Sequence, residues 1–345
     1  MPKLVVIGGS AGSIDVLKRI LRDLPQDFPA AILVVIHVGA HESRLPGLLA
    51  RCSGLPVRHA VQGEPIRAGQ VLLAPPDLHL TVARDGERAF ARLSRGPKEN
   101  HSRPAIDPLF RSAATTFGAE AIGVVLSGFL DDGTVGLQAI KACGGIAVVQ
   151  DPNDADASEM PASAVRHVAV DVLGLTGELG PALAELASGR HAVQAAVQAA
   201  VQAAAQATGQ AVPELRDRAD VENRMFEGEA GMEELDRIGT RVALTCPECG
   251  GAIWEVNHAQ PLRYRCHTGH AFTARVLEAL QGGEAEEALW AAVRALHEQE
   301  QLYREMHRKL QNAPGSEYER RADQAAEHAR LLRDLVATRM RLGPI

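Results

Sequence analysis

Short apolar runs alternate with amphipathic segments along the first half of the chain. The run LVVIG at residues 4–8 precedes a segment whose apolar residues recur at helical spacing: Ile14, Leu17, Ile20, Leu21 and Leu24. Similar runs follow at residues 30–36, 121–125 and 145–150. Runs rich in β-branched residues and bounded by glycine are typical of strands buried on both faces. The alternation therefore predicts an α/β fold, in which a mostly parallel sheet is flanked by helices in a Rossmann-like, three-layer arrangement.

The pattern changes after residue 190. Residues 193–207, VQAAVQAAVQAAAQA, form a four-residue near-repeat of helix-favouring alanine and glutamine, which predicts a semi-rigid helical linker. We therefore divide the chain into a first domain at residues 1–190, a linker at 191–212 and a carboxyl-terminal module at 213–345.

Two charged helical patterns close the chain, at residues 284–311 and 317–341. Pro314 and Gly315 between them are typical of a turn, so the two segments are predicted to form an antiparallel helical hairpin. Their mixed charges are typical of a solvated face with an apolar seam for a partner or a second copy.

Composition and charge narrow the functional classes. Of the 345 residues, 46% are apolar and only 3% aromatic, so the core is predicted to consist mainly of aliphatic side chains. The net charge of −7 gives no electrostatic reason to expect a nucleic-acid partner. We find neither a signal peptide nor an apolar window long enough to insert into a membrane. With five cysteines, three of them clustered, a reducing cytoplasm is the expected location.

Three residues of catalytic type follow apolar runs at separate places in the first domain. Ser10 follows LVVIGG, His37 follows AAILVVI, and Asp132 follows AIGVVLSGFLD. The carboxyl ends of parallel strands meet at one edge of the sheet, where open α/β proteins place their reactive crevice. A serine, a histidine and an aspartate there supply a nucleophile, its general base and the group that orients the base. Residues 8–12, GGSAG, also fit the turn that exposes a serine nucleophile, so we predict a serine hydrolase.

Each of the three residues also has a simpler interpretation. The glycine-rich turn is compatible with a phosphate-binding loop, although Ser10 stands where the G-x-G-x-x-G pattern needs its second glycine. His37 is compatible with a core histidine bonded to a carbonyl group. Asp132 is compatible with a helix cap, and the adjacent Asp131 is its rival for the orienting role.

The carboxyl-terminal module contains a metal-binding pattern. Cys246 and Cys249 form a C-x2-C pair, which is followed after 16 residues by Cys266 and, four positions on, His270. Two such short turns complete a tetrahedral site, so a structural zinc ribbon with Cys3His ligation is predicted. His267 is the alternative fourth ligand, and free cytosolic thiols are the alternative to a metal.

An ordered set of motifs in the first domain resembles the catalytic domain of the CheB-type chemotaxis protein-glutamate methylesterases. The resemblance runs from Lys3 to about Leu186 and rests on VVIGGSAGS, VVIHVG, GEPIRAGQVLLAPPDLHL, HSRPAIDPLFRSAA, VVLSGFLDDGTVGLQAIKACGG and EMPASAV. It implies that Ser10 is the nucleophile, His37 the base and Asp132 the orienting carboxylate. It also implies hydrolysis of glutamate methyl esters on chemoreceptor signalling helices, with release of methanol, and glutamine deamidation as a second reaction.

The chain departs from the family pattern at two places near the site. The usual Ser-Thr-Gly-Gly is replaced by SAGS at residues 10–13, and the usual Gly-Met-Gly by GFL at residues 128–130, which affects the surroundings of the oxyanion. The amino-terminal receiver domain common in the family is not expected, so regulation by the carboxyl-terminal module or by a signalling kinase or other partner is predicted instead.

The full expectation is a cytoplasmic protein-glutamate methylesterase that uses no cofactor for catalysis and holds one structural zinc. Its expected partner is a methylated, chemoreceptor-type helical protein. Two alternatives remain: an inactive adaptor of the same fold that binds receptor-like helices, and a zinc-ribbon regulatory protein with an accessory α/β domain.

Overall fold

The computed structural model describes residues 3–37, 39, 43–189, 212–310 and 316–341. Two compact units divide the chain between Val276 and Leu277. The predicted helical linker at residues 193–207 and the predicted turn at Pro314 and Gly315 lie outside the described residues. The predicted domain boundaries stay predictions.

A seven-stranded parallel sheet forms the centre of the first unit, in the order β3-β4-β2-β1-β7-β8-β9. Its strands are β1 (Leu4–Gly9), β2 (Ala31–Ile36), β3 (Val57–His59), β4 (Val71–Leu73), β7 (Ala121–Val125), β8 (Ile146–Gln150) and β9 (Val172–Gly174). The residues of β1, β2, β7 and β4 are buried throughout, as expected for strands covered on both faces. The predicted mostly parallel sheet is confirmed.

Helices cover both faces of this sheet. They are α1 (Ser13–Asp23), α2 (Leu45–Ala50), α3 (Ile106–Phe117), α4 (Thr134–Ala142), α5 (Glu159–His167) and α6 (Thr176–Ala187). The apolar face of α1 packs with α2, α6 and one side of the strands. Helices α3, α4 and α5 form a second core with the opposite side, so the three-layer arrangement predicted from the sequence is confirmed.

An antiparallel hairpin lies beside α3 and lengthens the second core. It consists of β5 (His79–Asp85) and β6 (Arg88–Ser94), which pair along their whole length. The segment that follows this hairpin, residues 95–105, leads into the amino-terminal end of α3 and runs past the candidate site.

The segment after the linker packs on the same unit. Helix α7 (Val212–Phe226) lies against α3 and α4, and the short helix α8 (Met232–Ile238) follows it. A four-stranded antiparallel sheet then contains β10 (Gly239–Thr245), β11 (Ala252–Val256), β12 (Arg263–Cys266) and β13 (Ala271–Thr273). We call residues 239–273 the ribbon.

Two long helices form most of the second unit. Helix α9 (Ala274–Lys309) begins in the first unit, and α10 (Glu317–Arg341) follows it in the chain. Arg304, late in α9, pairs with Asp323, early in α10, whereas the earlier His297 contacts the later Arg333. The two helices are therefore antiparallel, as predicted. Among the described helices, none combines the length and the apolar character that crossing a membrane requires.

Candidate active site

Ser10 and His37 lie side by side at the carboxyl edge of the parallel sheet. Strands β1 and β2 are in register with Gly9 opposite Ile36, so the next residue of each strand continues the pairing. The His37 N–H donates to the Gly9 carbonyl at 3.2 Å, and the Ser10 N–H donates to the carbonyl of Ser127, beyond the end of β7, at 2.9 Å. Strand order reverses between β2 and β7 on either side of β1, and this reversal is where open α/β sheets bind their ligands.

Asp132 completes a line of polar side chains at this edge. Its Oδ2 lies 2.8 Å from His37 Nε2, and the side chains of His37 and Asp132 are 20% and 3% exposed. Because a carboxylate accepts, the proton of the neutral imidazole is placed on Nε2, which leaves the Nδ1 lone pair available as a base. The structure thus brings together the histidine and the aspartate predicted from the sequence, with the predicted serine on the adjoining strand.

Four donors besides His37 surround the Asp132 carboxylate. Oδ2 also accepts from the Ile106 N–H at 2.7 Å, and Oδ1 accepts from Asn100 Nδ2 at 3.0 Å. The backbone N–H groups of Asp107 and Gly133 approach Oδ1 at 3.3 Å and 3.0 Å. Burial raises the pKa of Asp132, but the hydrogen bonds and charge of His37, with the Ile106 and Asn100 donors, lower it further than burial raises it. Asp132 is therefore held as a carboxylate.

Asp107 behaves in the opposite way. Burial raises its pKa well above the usual value, and the negative charge of the adjacent Asp132 adds to the effect. Its oxygens accept from the Gly136 N–H at 2.7 Å and from Asn100 Nδ2 at 3.1 Å. Asn100 therefore donates to two carboxyl groups that share one buried site.

Asp131, the rival for the orienting role, points elsewhere. Its Oδ1 accepts from the Thr273 hydroxyl at 2.7 Å, and burial raises its pKa. The geometry therefore separates the two adjacent aspartates: Asp132 contacts His37, and Asp131 contacts the ribbon.

Close backbone approach shapes the turns around Ser10. A Cβ added to Gly128 would lie 2.1 Å from Met160 Sδ and 2.8 Å from Ser10 Cβ, so only glycine fits there. Leu130, in contrast, has a φ of 63° at the position where the family pattern has glycine. A left-handed conformation costs a non-glycine residue about 1–2 kcal/mol. Its N–H donates to Glu159 Oε2 at 3.0 Å, which helps to hold this strained turn.

His79 and Asn100 are structural residues of the site that sequence reasoning missed. His79 is fully buried; its Nε2 donates to the Pro97 carbonyl at 3.1 Å and its Nδ1 accepts from the Ala105 N–H at 3.2 Å. Burial lowers its pKa to about 4, so the ring is neutral and bridges the two ends of the 97–105 segment. Asn100 directly precedes the HSRPAIDPLFRSAA motif, which was the available signal in the sequence.

The four predicted metal ligands converge in the ribbon. One ligand atom from each of Cys246, Cys249, Cys266 and His270 lies within 4.8 Å of the others. The Cys249 and Cys266 sulfurs are 3.9 Å apart, and His270 Nδ1 lies 3.7 Å from Cys246 Sγ and 3.4 Å from Cys266 Sγ. Bond lengths of about 2.3 Å to sulfur and about 2.0–2.1 Å to nitrogen give tetrahedral edges of about 3.8 Å and about 3.6 Å. The donor set therefore fits a tetrahedral zinc ion in type and in spacing.

His267, the alternative ligand, lies to one side of this group. A Cβ added to Gly251 would meet the His267 ring at 2.1 Å, so the ring packs on the first knuckle of the ribbon. Among the described residues, the convergent set contains His270 and not His267.

Comparison with known proteins identifies the first domain. The model of the family described as CheB methylesterase matches residues 5–183. The chain belongs to the CheB methylesterase family. The crystal structure of the Thermotoga maritima CheB methylesterase catalytic domain matches with a TM-score of 0.53 and 33% identity, over 54% of this chain and 99% of that one. The resemblance inferred from the sequence motifs is confirmed.

Curated relatives carry matching names. A putative protein-glutamate methylesterase/protein-glutamine glutaminase of Leptospira interrogans is 40% identical over 168 residues, which are 48% of this chain and 86% of that protein. A protein-glutamate methylesterase/protein-glutamine glutaminase 2 of Anaeromyxobacter dehalogenans is 43% identical over 185 residues, 53% of each protein. The chain thus spans most of the first relative but about half the length of the second. The ribbon lies beyond the region that the family model matches.

Proposed function

We propose that the protein hydrolyses glutamate methyl esters on other proteins and releases methanol, with Ser10, His37 and Asp132 as its catalytic residues. Membership of the CheB methylesterase family supports the reaction class. The assignment of residues is supported by the 2.8 Å contact between His37 and Asp132. His37 follows β2, the strand that pairs with β1, and Ser10 follows β1.

The proposed reaction has the steps of a serine esterase mechanism. His37 Nδ1 takes the Ser10 hydroxyl proton as the oxygen attacks the ester carbonyl, and it returns a proton to the departing methanol. Water then attacks the resulting acyl-enzyme with the same base, which frees the glutamate carboxylate. Asp132 holds the proton on Nε2 and stabilises the imidazolium that forms. A glutamine side chain would follow the same path, with ammonia leaving in place of methanol.

We expect the amino-terminal end of α1 to stabilise the oxyanion. Ser10 precedes this helix, which begins at Ser13, and Gly12 between them has a φ of 78°. Helix amino-terminal ends present backbone N–H groups and a partial positive charge to an anion. The proposed reaction uses these groups and no cofactor.

The proposed substrate is a protein with methylated glutamate side chains, because the relatives are named for activity on protein glutamate and glutamine. Within that class we propose a methylated, chemoreceptor-type helical protein, as the resemblance to the chemotaxis methylesterases implies. A signalling kinase or other regulator is a further proposed partner. The proposed location is the cytoplasm, which suits five cysteines that are all described and all free of disulfides.

Substitution of the nucleophile tests the proposal. Ser10→Ala is expected to reduce methanol release from methylated receptor, and hydrolysis of a small ester, by about 10⁶-fold, since such units lose nearly all activity when one member is removed. The matched control is Ser53→Ala, because the Ser53 hydroxyl accepts from the Leu55 N–H on the loop after α2. Full activity of Ser10→Ala would overturn the proposal. If the wild-type protein hydrolysed the small ester but not the methylated receptor, the proposed substrate would be overturned.

We also propose that the ribbon holds one structural zinc ion through Cys246, Cys249, Cys266 and His270. Four protein ligands close the coordination shell, so the ion would stabilise the fold and take no part in ester chemistry.

Metal analysis of purified variants tests the zinc site. The wild-type chain is expected to contain one zinc per molecule, His270→Ala to lose most of it, and His267→Ala to keep it. The two substitutions are matched in residue type and lie three positions apart. Equal zinc contents in the two variants would contradict the ligand assignment, and absence of zinc from the wild type would remove the site.

A further inference from the structure

The ribbon meets the catalytic domain at the segment that carries Asn100. The Asn100 N–H donates to the Ala271 carbonyl of β13 at 2.8 Å, and the Ala271 N–H approaches the Lys98 carbonyl at 3.4 Å. Residues 98–100 therefore lie beside β13 as a short parallel bridge. Backbone pairing fixes this segment to the ribbon rather than to the central sheet.

The Asn100 side chain connects the ribbon to the catalytic aspartate. Its Oδ1 accepts from the backbone N–H of Thr273 at 3.1 Å. Its Nδ2 donates to Asp132 at 3.0 Å and to Asp107 at 3.1 Å. Because the two carboxyl groups take both amide protons and Thr273 takes the carbonyl oxygen, the orientation of the amide is determined. Asn100 is 8% exposed, so water does not readily replace these partners.

The backbone of Asn100 is adapted to this task. Its φ is 50°, in the left-handed region that asparagine tolerates better than most residues. The conformation turns the side chain towards Asp132 while the backbone N–H remains on β13. The ribbon thus holds Asn100 from two sides, through Ala271 and through Thr273.

Two further contacts join the ribbon end to the loop that carries Asp132. The Thr273 hydroxyl donates to Asp131, next to Asp132 in the chain. Arg275, just beyond β13, pairs at 2.7 Å with Glu159, whose Oε2 also accepts from the strained Leu130 N–H. The ribbon end therefore contacts the Leu130–Asp132 turn and Asn100 at once.

Buried ion pairs make this contact a permanent part of the unit. Arg265 of β12 donates to Glu99 at 2.6 Å, and Arg111 of α3 donates to the same carboxylate at 2.7 Å and 2.8 Å. Arg263 donates to Glu222 of α7 at 2.9 Å. These five side chains are at most 4% exposed. Separating the ribbon would leave buried charges without partners, which is strongly destabilising.

We propose that the ribbon is a positioning element of the active site: through Ala271 and Thr273 it fixes Asn100, and Asn100 orients Asp132 for His37. The proposal deepens the proposed esterase function and rests on it. Asn100 and Thr273 are positioning residues, since they act through Asp132 and Asp131.

Kinetics of the full chain on a small ester provide the first test. Asn100→Gly removes the amide and keeps the left-handed backbone, and Asn100→Asp is a second variant of similar shape that loses both donors. We expect kcat to fall roughly 10–100-fold, because small misplacements of catalytic groups cost about that much. KM is expected to stay within a factor of two of the wild-type value, since Asn100 acts through Asp132.

A pair of threonine variants tests the role of the ribbon itself. Thr273→Val removes the hydroxyl that holds Asp131, and kcat is expected to fall several-fold. Thr240→Val makes the same change at an exposed position of β10, where the hydroxyl donates to Asn257, and is expected to leave kcat unchanged. Equal kcat values in Thr273→Val and Thr240→Val would show that the hydroxyl contact with Asp131 does not act on the site, and an unchanged kcat in the Asn100 variants as well would overturn the proposal.

Nitrogen NMR of the His37 ring separates positioning from activity. The wild type should show the proton on Nε2, and Asn100→Gly should show mixed tautomers; a His37→Ala sample identifies the signals. Unchanged ring signals and unchanged kcat in both Asn100 variants would overturn the proposal. If the wild type hydrolysed no ester, the proposed function would fail, and the tautomer shift alone would still decide whether Asn100 orients the pair.

Discussion

The central sheet and the ribbon contact are both buried, but by different means. In β1, Leu4, Val5, Val6 and Ile7 are fully buried among other aliphatic side chains. Where the ribbon meets α3 and α7, the fully buried side chains are arginines and glutamates in mutual contact. Buried aliphatic groups tolerate many neighbours, whereas a buried charge requires one particular partner. The sheet therefore supplies a stable frame, and the ribbon contact supplies a unique placement.

The energetics of the two regions differ accordingly. Full burial of an aliphatic side chain contributes about 1.5–3 kcal/mol. A buried ion pair contributes little net stability, because desolvation offsets attraction, yet removing one partner costs about 3–5 kcal/mol. The ribbon contact is thus a weak source of stability and a strong constraint on position.

The two adjacent aspartates give the sharpest contrast between the regions. Asp132→Asn is expected to lower kcat by about 10⁴-fold, because the amide no longer selects the imidazole tautomer that His37 needs. Asp131→Asn changes a side chain that contacts the ribbon hydroxyl of Thr273, and its effect should be at most about tenfold. Steady-state kinetics on a small ester measure both variants. A larger loss in Asp131→Asn than in Asp132→Asn would reverse the assignment of the orienting carboxylate.

A pair of arginine variants compares the buried contact with the ribbon surface. Arg265→Met leaves Glu99 with one partner fewer and is expected to lower the free energy of unfolding by about 3–5 kcal/mol. Arg241→Met, on exposed β10, removes only a stacking contact on Trp254 and should cost about 0.5–1 kcal/mol. Urea unfolding measures both values. Equal losses would show that the ion cluster does not constrain the ribbon.

The last expected effect is a pH dependence of stability that comes from the same ion cluster. Burial raises the pKa of Glu222, but Arg263, Arg265 and Arg111 outweigh it and lower the pKa from 4.5 to about 2. The unfolded chain therefore binds more protons between these values, so the contribution of Glu222 is complete above about pH 4.5 and is lost as the pH falls towards 2. In Glu222→Gln, unfolding free energies measured from pH 7 to pH 2.5 should fall less steeply than in the wild type. If the unfolding free energies of the variant and the wild type fell in parallel, the loss of stability in acid would come from groups other than Glu222.

The sheet and the candidate catalytic residues could be predicted from the sequence because the patterns that indicate them are local. The composition of runs such as residues 4–8 and 30–36 is enough to predict that they are buried strands. Ser10 and His37 follow those runs directly, so the parallel pairing of β1 with β2 is enough to bring them together. The four proposed zinc ligands are likewise close in sequence within each knuckle.

The ribbon contact and the surroundings of Asp132 could not be predicted from the sequence, because the residues that form them are far apart in the chain and each resembles an ordinary surface residue. Glu222 lies in a polar segment that resembles a solvated helix, and its full burial depends on Arg263 and Arg111 from two other elements. The sequence around Asn100 indicates only a loop, and its contacts depend on β13, which is distant in the chain. Leu130 is an exception to the rule that left-handed backbone positions favour glycine. Its conformation is held by the hydrogen bond to Glu159 of α5 and not by its own backbone preference.

The bond between Asn100 and Thr273 joins residues 173 positions apart. Ribosomes add about 5–20 residues per second, so Thr273 is synthesised roughly 9–35 s after Asn100. During that interval Ser10, His37 and Asp132 have all left the peptidyl-transferase centre, yet Asn100 has no ribbon to hold it. On the proposed role of the ribbon, a growing chain cannot act on its substrate at full rate until the ribbon, which is made after all three of these residues, has folded, so full activity reports that synthesis has passed the ribbon.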